Sequence, residues 1–226
     1  EDVAKRRLGN ARVRAQDEES TLDCGILKAF FETSGNDVQR IEASENVSFE
    51  QAGARTTADK AVYSVTQDVV TLTGKPGWKT ADMEGSGELL VINNKTREFQ
   101  GERDVKVKLP QQGMLPLDWQ SGASPTNTPG TTNRWITIQS ESLNYRPTGA
   151  LFQGNVRVAD PQGAELKCGR FTNSFSVPGG RVTGVMAEKN VEFKQGDLVV
   201  RGDKGTYQTN SDFITLTGTP TWKTQQ

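Results

Sequence analysis

The residue types that usually carry chemistry are sparse in this sequence. There is no histidine, so the commonest general base is missing. No Gly-x-Ser-x-Gly elbow and no phosphate-cradling glycine loop occurs. The paired acids Glu18-Glu19 sit in turn-like sequence with no apolar cleft around them. Cys24 and Cys168 belong to no Cys-x-x-Cys pair, which gives no support for a metal site. They hold matching places in two similar segments, a full module apart, so they are expected as free thiols packed as small apolar groups. Lys79 and Lys223 also match, as do Asp59-Lys60 and Asp203-Lys204. These lysines read first as solvated strand ends, and second as phosphate contacts at the rim of a slot. The expectation is a non-enzymatic protein without cofactor.

What the sequence offers instead is physical: alternating apolar residues. The stretch Asp212-Phe-Ile-Thr-Leu-Thr-Gly218-Thr-Pro-Thr-Trp222-Lys-Thr224 repeats the earlier Asp68-Val-Val-Thr-Leu-Thr-Gly74-Lys-Pro-Gly-Trp78-Lys-Thr80. The match runs upstream at constant spacing through Tyr63/Tyr207, Phe49/Phe193, Asn46-Val47/Asn190-Val191, Cys24/Cys168 and Leu22/Leu166. Roughly 23 of about 59 ungapped positions are identical, which marks an internal duplication. A smaller repeat lies within it, Glu88-x-Leu90 … Phe99-Gln-Gly101 against Glu141-x-Leu143 … Phe152-Gln-Gly154.

Alternation with β-branched partners predicts strands buried on one face. In the first module these are Thr21 to Glu32, Val38 to Phe49, Arg55 to Val65, Asp68 to Trp78, Gly87 to Asn93 and Asp104 to Leu109, with turns between. The Gly-x-Pro step is expected to end or bend the strand that contains it. Asn46 and Asn190 read as Asx-type turns before a strand. Residues 1–8 form a charged lead-in, and residues 110–133 a Pro/Gly/Ser/Thr-rich linker with Met114, Leu115, Leu117 and Trp119 in its first half. The expected organisation is therefore a module over 1–109, the linker, and a module over 134–226. The first module lacks a counterpart of Ile136 to Phe152, which implies a sheet edge in need of cover.

The net charge is −1 with both signs interspersed, which argues against a nucleic-acid partner. Apolar runs are far shorter than the ~18 residues of a membrane-spanning helix.

Four motifs stand in order over residues 134–226: Ile136-x-Ile138-x-Ser140-Glu141, Phe152-x-Gly154-Asn-Val156-x-Val158, Val200-Arg-Gly202-Asp-Lys204-x-x-Tyr207 and Asp212-Phe-Ile-x-Leu-Thr-Gly218. In these motifs the segment resembles the OstA-like domain of the LptA family of periplasmic lipopolysaccharide-transport proteins. Thr57-Ala-Asp-Lys60-x-x-Tyr63 and Asp68-Val-Val-x-Leu-Thr-Gly74 repeat the last two. The resemblance implies an all-β fold, two tandem β-jelly-roll modules shaped like a taco, with an apolar slot between facing sheets. It implies a periplasmic place, with export through a leader or anchor outside these residues. The implied partners are lipopolysaccharide and other OstA-like domains stacked edge to edge, second copies of the chain among them.

From the alternation, the slot lining is expected to be Val47, Phe49, Tyr63, Leu72 and Trp78 in the first module. In the second it is Ile138, Phe152, Val158, Val191, Phe193, Tyr207, Ile214, Leu216 and Trp222. Val70, Ile136, Tyr145 and Val156 are also expected to face inward. The bland alternative is a closed core in a structural β-repeat protein of the envelope. A component of another envelope-lipid pathway with the same fold is a further alternative.

Overall fold

The computed structural model describes residues 12–16, 20–32, 35, 37–81, 83–110, 135–176, 182–208 and 213–224. The lead-in at 1–8, the pair Glu18-Glu19, Asp212 and the linker beyond Pro110 lie outside these residues. The chain divides into two compact units, Glu1–Val105 and Lys106–Gln226. Every described element is a β-strand, and every strand pair given a register is antiparallel.

The first unit contains β1 (Val13–Gln16), β2 (Ser20–Cys24), β3 (Ile26–Phe31), β4 (Val38–Gln51) and β5 (Ala54–Ser64). It continues with β6 (Val69–Thr73), β7 (Gly77–Lys79), β8 (Glu84–Ser86), β9 (Leu89–Asn93) and β10 (Glu98–Pro110), whose last residues fall in the second unit. The long strands each serve two neighbours. Residues 38–44 of β4 pair with β3, and residues 48–51 with β2. Residues 60–64 of β5 pair with β6, and residues 55–57 with β7. β6 is then covered by β9, and β7 by β8.

Thr21 to Glu32 and Asp68 to Trp78 were each expected as one strand, and each is two. Gly25 divides β2 from β3, and the turn at Gly74 and Lys75, with φ of 76° and 55°, divides β6 from β7. The bend at Gly-x-Pro is as the proline chemistry predicts.

The second unit holds β11 (Trp135–Arg146), β12 (Gly149–Ala159), β13 (Glu165–Phe175), β14 (Val182–Gln195), β15 (Leu198–Gln208), β16 (Ile214–Thr217) and β17 (Thr221–Thr224). β11 to β15 form a meander in which each strand pairs with the next. β15 then pairs with β16 through residues 204–207 and with β17 through 198–201.

A line of bulges crosses the second unit, and one bulge takes the matching place in the first. Register shifts occur at Ser44/Val47 in β4, and at Gln139/Ser142, Gln153/Val156, Lys167/Arg170 and Glu188/Val191 across β11 to β14. Glu45 and Asn46 have φ of 68° and 54°, and Lys189 and Asn190 have 69° and 56°. Asn46 and Asn190 therefore lie inside continuous strands, not in turns before them. Asparagine tolerates this left-handed backbone better than most residues. The bulge has a second effect on side chains. Glu45 falls on the inward phase set by Ala43 and Val47, yet it is exposed because the bulge swings it out. Lys189, between Ala187 and Val191, behaves the same way. At these places the long strands crease into two halves, one for each wall of the unit.

Candidate functional site

Residues paired directly across antiparallel strands share a face, so the registers give the inner rows of each wall. In the first unit one wall carries Ile41–Tyr63–Val70–Ile92–Phe99, one residue from each successive strand. Beside it runs Ala43–Ala61–Leu72–Leu90–Gly101. The other wall carries Leu22–Phe49–Thr56–Trp78–Gly85. The two walls meet where Trp78 packs edge-on against Phe99, with ring centroids 5.6 Å apart. Ala58, Leu72 and Leu90 form a buried cluster there, while Cys24, Ala43 and Val47 form another along the crease.

In the second unit one wall carries Leu143–Phe152–Phe171–Ala187–Gly205–Leu216 and Tyr145–Ala150–Asn173–Val185–Tyr207–Ile214. The other carries Ile138–Val158–Leu166–Phe193–Val200–Trp222. Phe152 and Phe171 face each other across adjacent strands with centroids 6.1 Å apart.

Burial sorts the expected lining residues into three groups. Val47, Leu72, Ile138, Phe152, Val158, Val191 and Tyr207 are buried. Phe49, Tyr63, Trp78, Phe193, Ile214 and Leu216 are half-buried, which leaves part of each side chain on accessible surface. Trp222 departs from the expected buried position: it shares the row of Val200 but is 76% exposed. Its strand has β15 on one side and no partner on the other among the described residues. Val70 and Tyr145 are half-buried, whereas Ile136 and Val156 are fully enclosed. Sequence reasoning missed Leu90, Ile92, Phe99, Leu143 and Phe171. Leu90, Phe99 and Leu143 belong to the smaller repeat, and that repeat was the signal for them. Phe171 follows Gly169, which lies opposite the bulges of β12 and β14, and there the phase set by Leu166 and Cys168 breaks.

The polar groups near the rows hold structure. The Tyr63 hydroxyl donates to Asp68 Oδ1 at 3.0 Å, and Asn94 Nδ2 donates to the same oxygen at 2.9 Å. These bonds, Asn94's first, hold the Asp68 carboxyl below its ordinary range, while burial and then Asp68 raise the Tyr63 phenol. Lys60 pairs with Glu42 at 3.4 Å and Lys204 with Glu188 at 3.5 Å, all at strand positions. Lys79 stands opposite Glu84 across the β7–β8 pair, and Lys223 is exposed. Cys24 and Cys168 are both free and buried. Burial pushes the Cys168 thiol up to about 11 and raises that of Cys24 as well. Among the described residues, no group of His, Cys, Asp or Glu side chains is placed to hold a metal ion.

No known protein family matches the sequence, and no curated protein does. A solved structure is similar in fold. It is the crystal structure of LptH, the LptA homologous periplasmic component of the conserved lipopolysaccharide transport device from Pseudomonas aeruginosa. The similarity has a TM-score of 0.44 and 10% sequence identity, over 76% of this chain and 95% of that one.

Proposed function

We propose that this chain is a non-enzymatic lipid carrier of the periplasm, which shelters the acyl chains of lipopolysaccharide between the two walls of each unit. One observation carries the reading. Each unit has apolar rows on both walls, and six expected lining residues on those rows keep part of their side chains accessible. The ordered motifs that resemble OstA-like domains point the same way. Each methylene removed from water is worth about 0.8 kcal/mol, so sheltering a twelve-carbon tail is worth on the order of 10 kcal/mol. In this reading residues 1–109 and 134–226 are two OstA-like modules joined by 110–133. They stack edge to edge with related domains of inner- and outer-membrane components. Photocrosslinkers at Phe193 and Leu216 are expected to capture lipopolysaccharide in cells. If neither captures it while the protein is folded and exported, the carrier reading fails.

A second reading has its own observation. Ile136, Ile138 and Phe171 are 0% exposed, so the interior at β11 to β13 is filled by side chains. A structural repeat protein with a closed core would look the same there, and would give no lipid adduct at either position.

A further inference from the structure

β6 and β7 show what covers their outer edge. Across that edge Val70 pairs with Ile92 and Leu72 with Leu90. Trp78 pairs with Gly85, and Lys79 with Glu84. The Trp78 ring lies on Gly85 so closely that a Cβ at position 85 would overlap it. Such an arrangement, a glycine roofed by a cross-strand aromatic, needs the bare backbone on one side.

β16 and β17 repeat β6 and β7, with Ile214 for Val70, Leu216 for Leu72 and Trp222 for Trp78 at the inner positions and Lys223 for Lys79 on the outer face. Among the described residues they pair with β15 alone. The difference shows in exposure. Leu72 is 2% exposed, while Leu216 is half-buried and Trp222 is 76% exposed. Unpaired backbone donors and acceptors beside an uncovered indole are the features of an edge that receives a strand.

We propose that the β16–β17 edge receives a β8–β9-type strand pair from another protein, one with glycine opposite Trp222 and an acid opposite Lys223. We infer also that Trp222 sets this choice and rejects β11 of a second copy of this chain. The proposal rests on the edge-stacking part of the reading above and adds the identity of the fitting strand. Aligning Glu88-x-Leu90 with Glu141-x-Leu143 puts Ile138 at the place of Gly85 and Thr137 at the place of Glu84. A branched side chain there would occupy the space the ring needs, and a hydroxyl would replace the carboxylate facing the lysine. These two edges are therefore not complementary, which leaves β11 of a second copy a poor fit to β16 and β17.

The test uses the full chain and a synthetic peptide of Met83–Asn94, followed by backbone hydrogen exchange. The peptide is expected to slow exchange in β16 and β17. A Gly85→Ile peptide is expected to bind about tenfold more weakly or worse. On a Trp222→Ala chain the two peptides are expected to bind within about twofold of each other, because the discriminating ring is gone. No protection of β16 and β17, protection confined to β6 and β7, or equal binding of both peptides to the unaltered chain would each overturn the proposal. So would self-association of the unaltered chain that Trp222→Ala or a β16 charge substitution abolishes. Lipid capture at Phe193 is read separately, so failure of the peptide experiment is distinct from failure of the carrier reading.

Discussion

Gly74 lies over Asp59 so closely that a methyl group at position 74 would overlap the aspartate Cβ, and the Asp59 amide donates to the Gly74 carbonyl at 3.1 Å. Gly218 and Asp203 stand in the same close relation in the second unit. The duplicated Asp-Lys pairs thus have a structural use at the bend between β6 and β7 and between β16 and β17. Gly74→Ala meets both a left-handed backbone at φ 76° and this overlap, whereas Gly53 has φ 78° with nothing within 4 Å of its Cβ position. Gly53→Ala is expected to cost about 1–2 kcal/mol from backbone conformation alone. Gly74→Ala is expected to cost more, by about 1–3 kcal/mol. Denaturant titrations of the two variants check the order, and equal midpoints would refute the account of the bend.

Phe171 is 0% exposed and Phe193 is half-buried on the opposite wall. Phe171→Ala is expected to cost about 3–5 kcal/mol through transfer and cavity. Phe193→Ala is expected to cost less than about 2 kcal/mol, because only part of its surface is removed from water. If the carrier reading holds, the ranking reverses for cargo: Phe193→Ala weakens lipid capture at Leu216 in a chain that still melts cooperatively. Parallel unfolding curves and capture yields read the two effects.

Arg14 grips Asp23 with two hydrogen bonds of 2.9 and 3.1 Å, and Arg12 adds one of 3.0 Å. The Arg14 bonds, with the charge of Arg12, hold the Asp23 carboxyl below its ordinary value despite desolvation. A depressed folded value means that the aspartate stabilises the fold above its unfolded pKa of about 3.9, and that this contribution is lost as pH falls through the folded value. Asp23→Asn is therefore expected to shrink the difference in Tm between pH 6 and pH 3. An unchanged difference would show that the cluster at β1–β2 contributes nothing to acid sensitivity.

Burial raises the Cys168 thiol to about 11, so at pH 8 almost none of it is thiolate in the folded chain. Cys24 is raised too. Native protein is expected to resist alkylation at pH 8 and to take up two labels per chain once unfolded. Because the folded pKa is raised, the stability tied to Cys168 is present below the unfolded thiol value near 8.5 and declines as pH rises toward 11. Mass spectrometry of label uptake against denaturant checks the first point.

The strands were legible because the apolar residues alternate. Val38 to Phe49 and Arg55 to Val65 correspond to β4 and β5 within two residues at each end. The duplication was legible too, but it placed both Trp78 and Trp222 on the inward side, where Trp78 is half-buried and Trp222 is exposed. Depth was not legible. Trp78 and Trp222 have similar local sequences, and β8 beside β7, with Phe99 against the ring, separates a half-buried tryptophan from an exposed one. Tertiary neighbours, not the strand's own residues, decide that. The bulges were hidden as well, although a trace was present: Glu45 and Lys189 each place a charge on an inward phase between apolar neighbours. Such a charge in both copies signals that the backbone turns the side chain outward there.

The crease has a mechanical consequence. β4 and β5 run without interruption from one wall to the other, and so do β14 and β15, with the bulges of β4 and β14 marking the fold line. The leaves of each unit are thus bound like pages along a spine. They cannot come apart by sliding, because that would tear every ladder at once. They can part only by flexing at the fold line, which makes the free margins, away from the spine, the place where a long molecule could be slipped in sideways instead of threaded through an end.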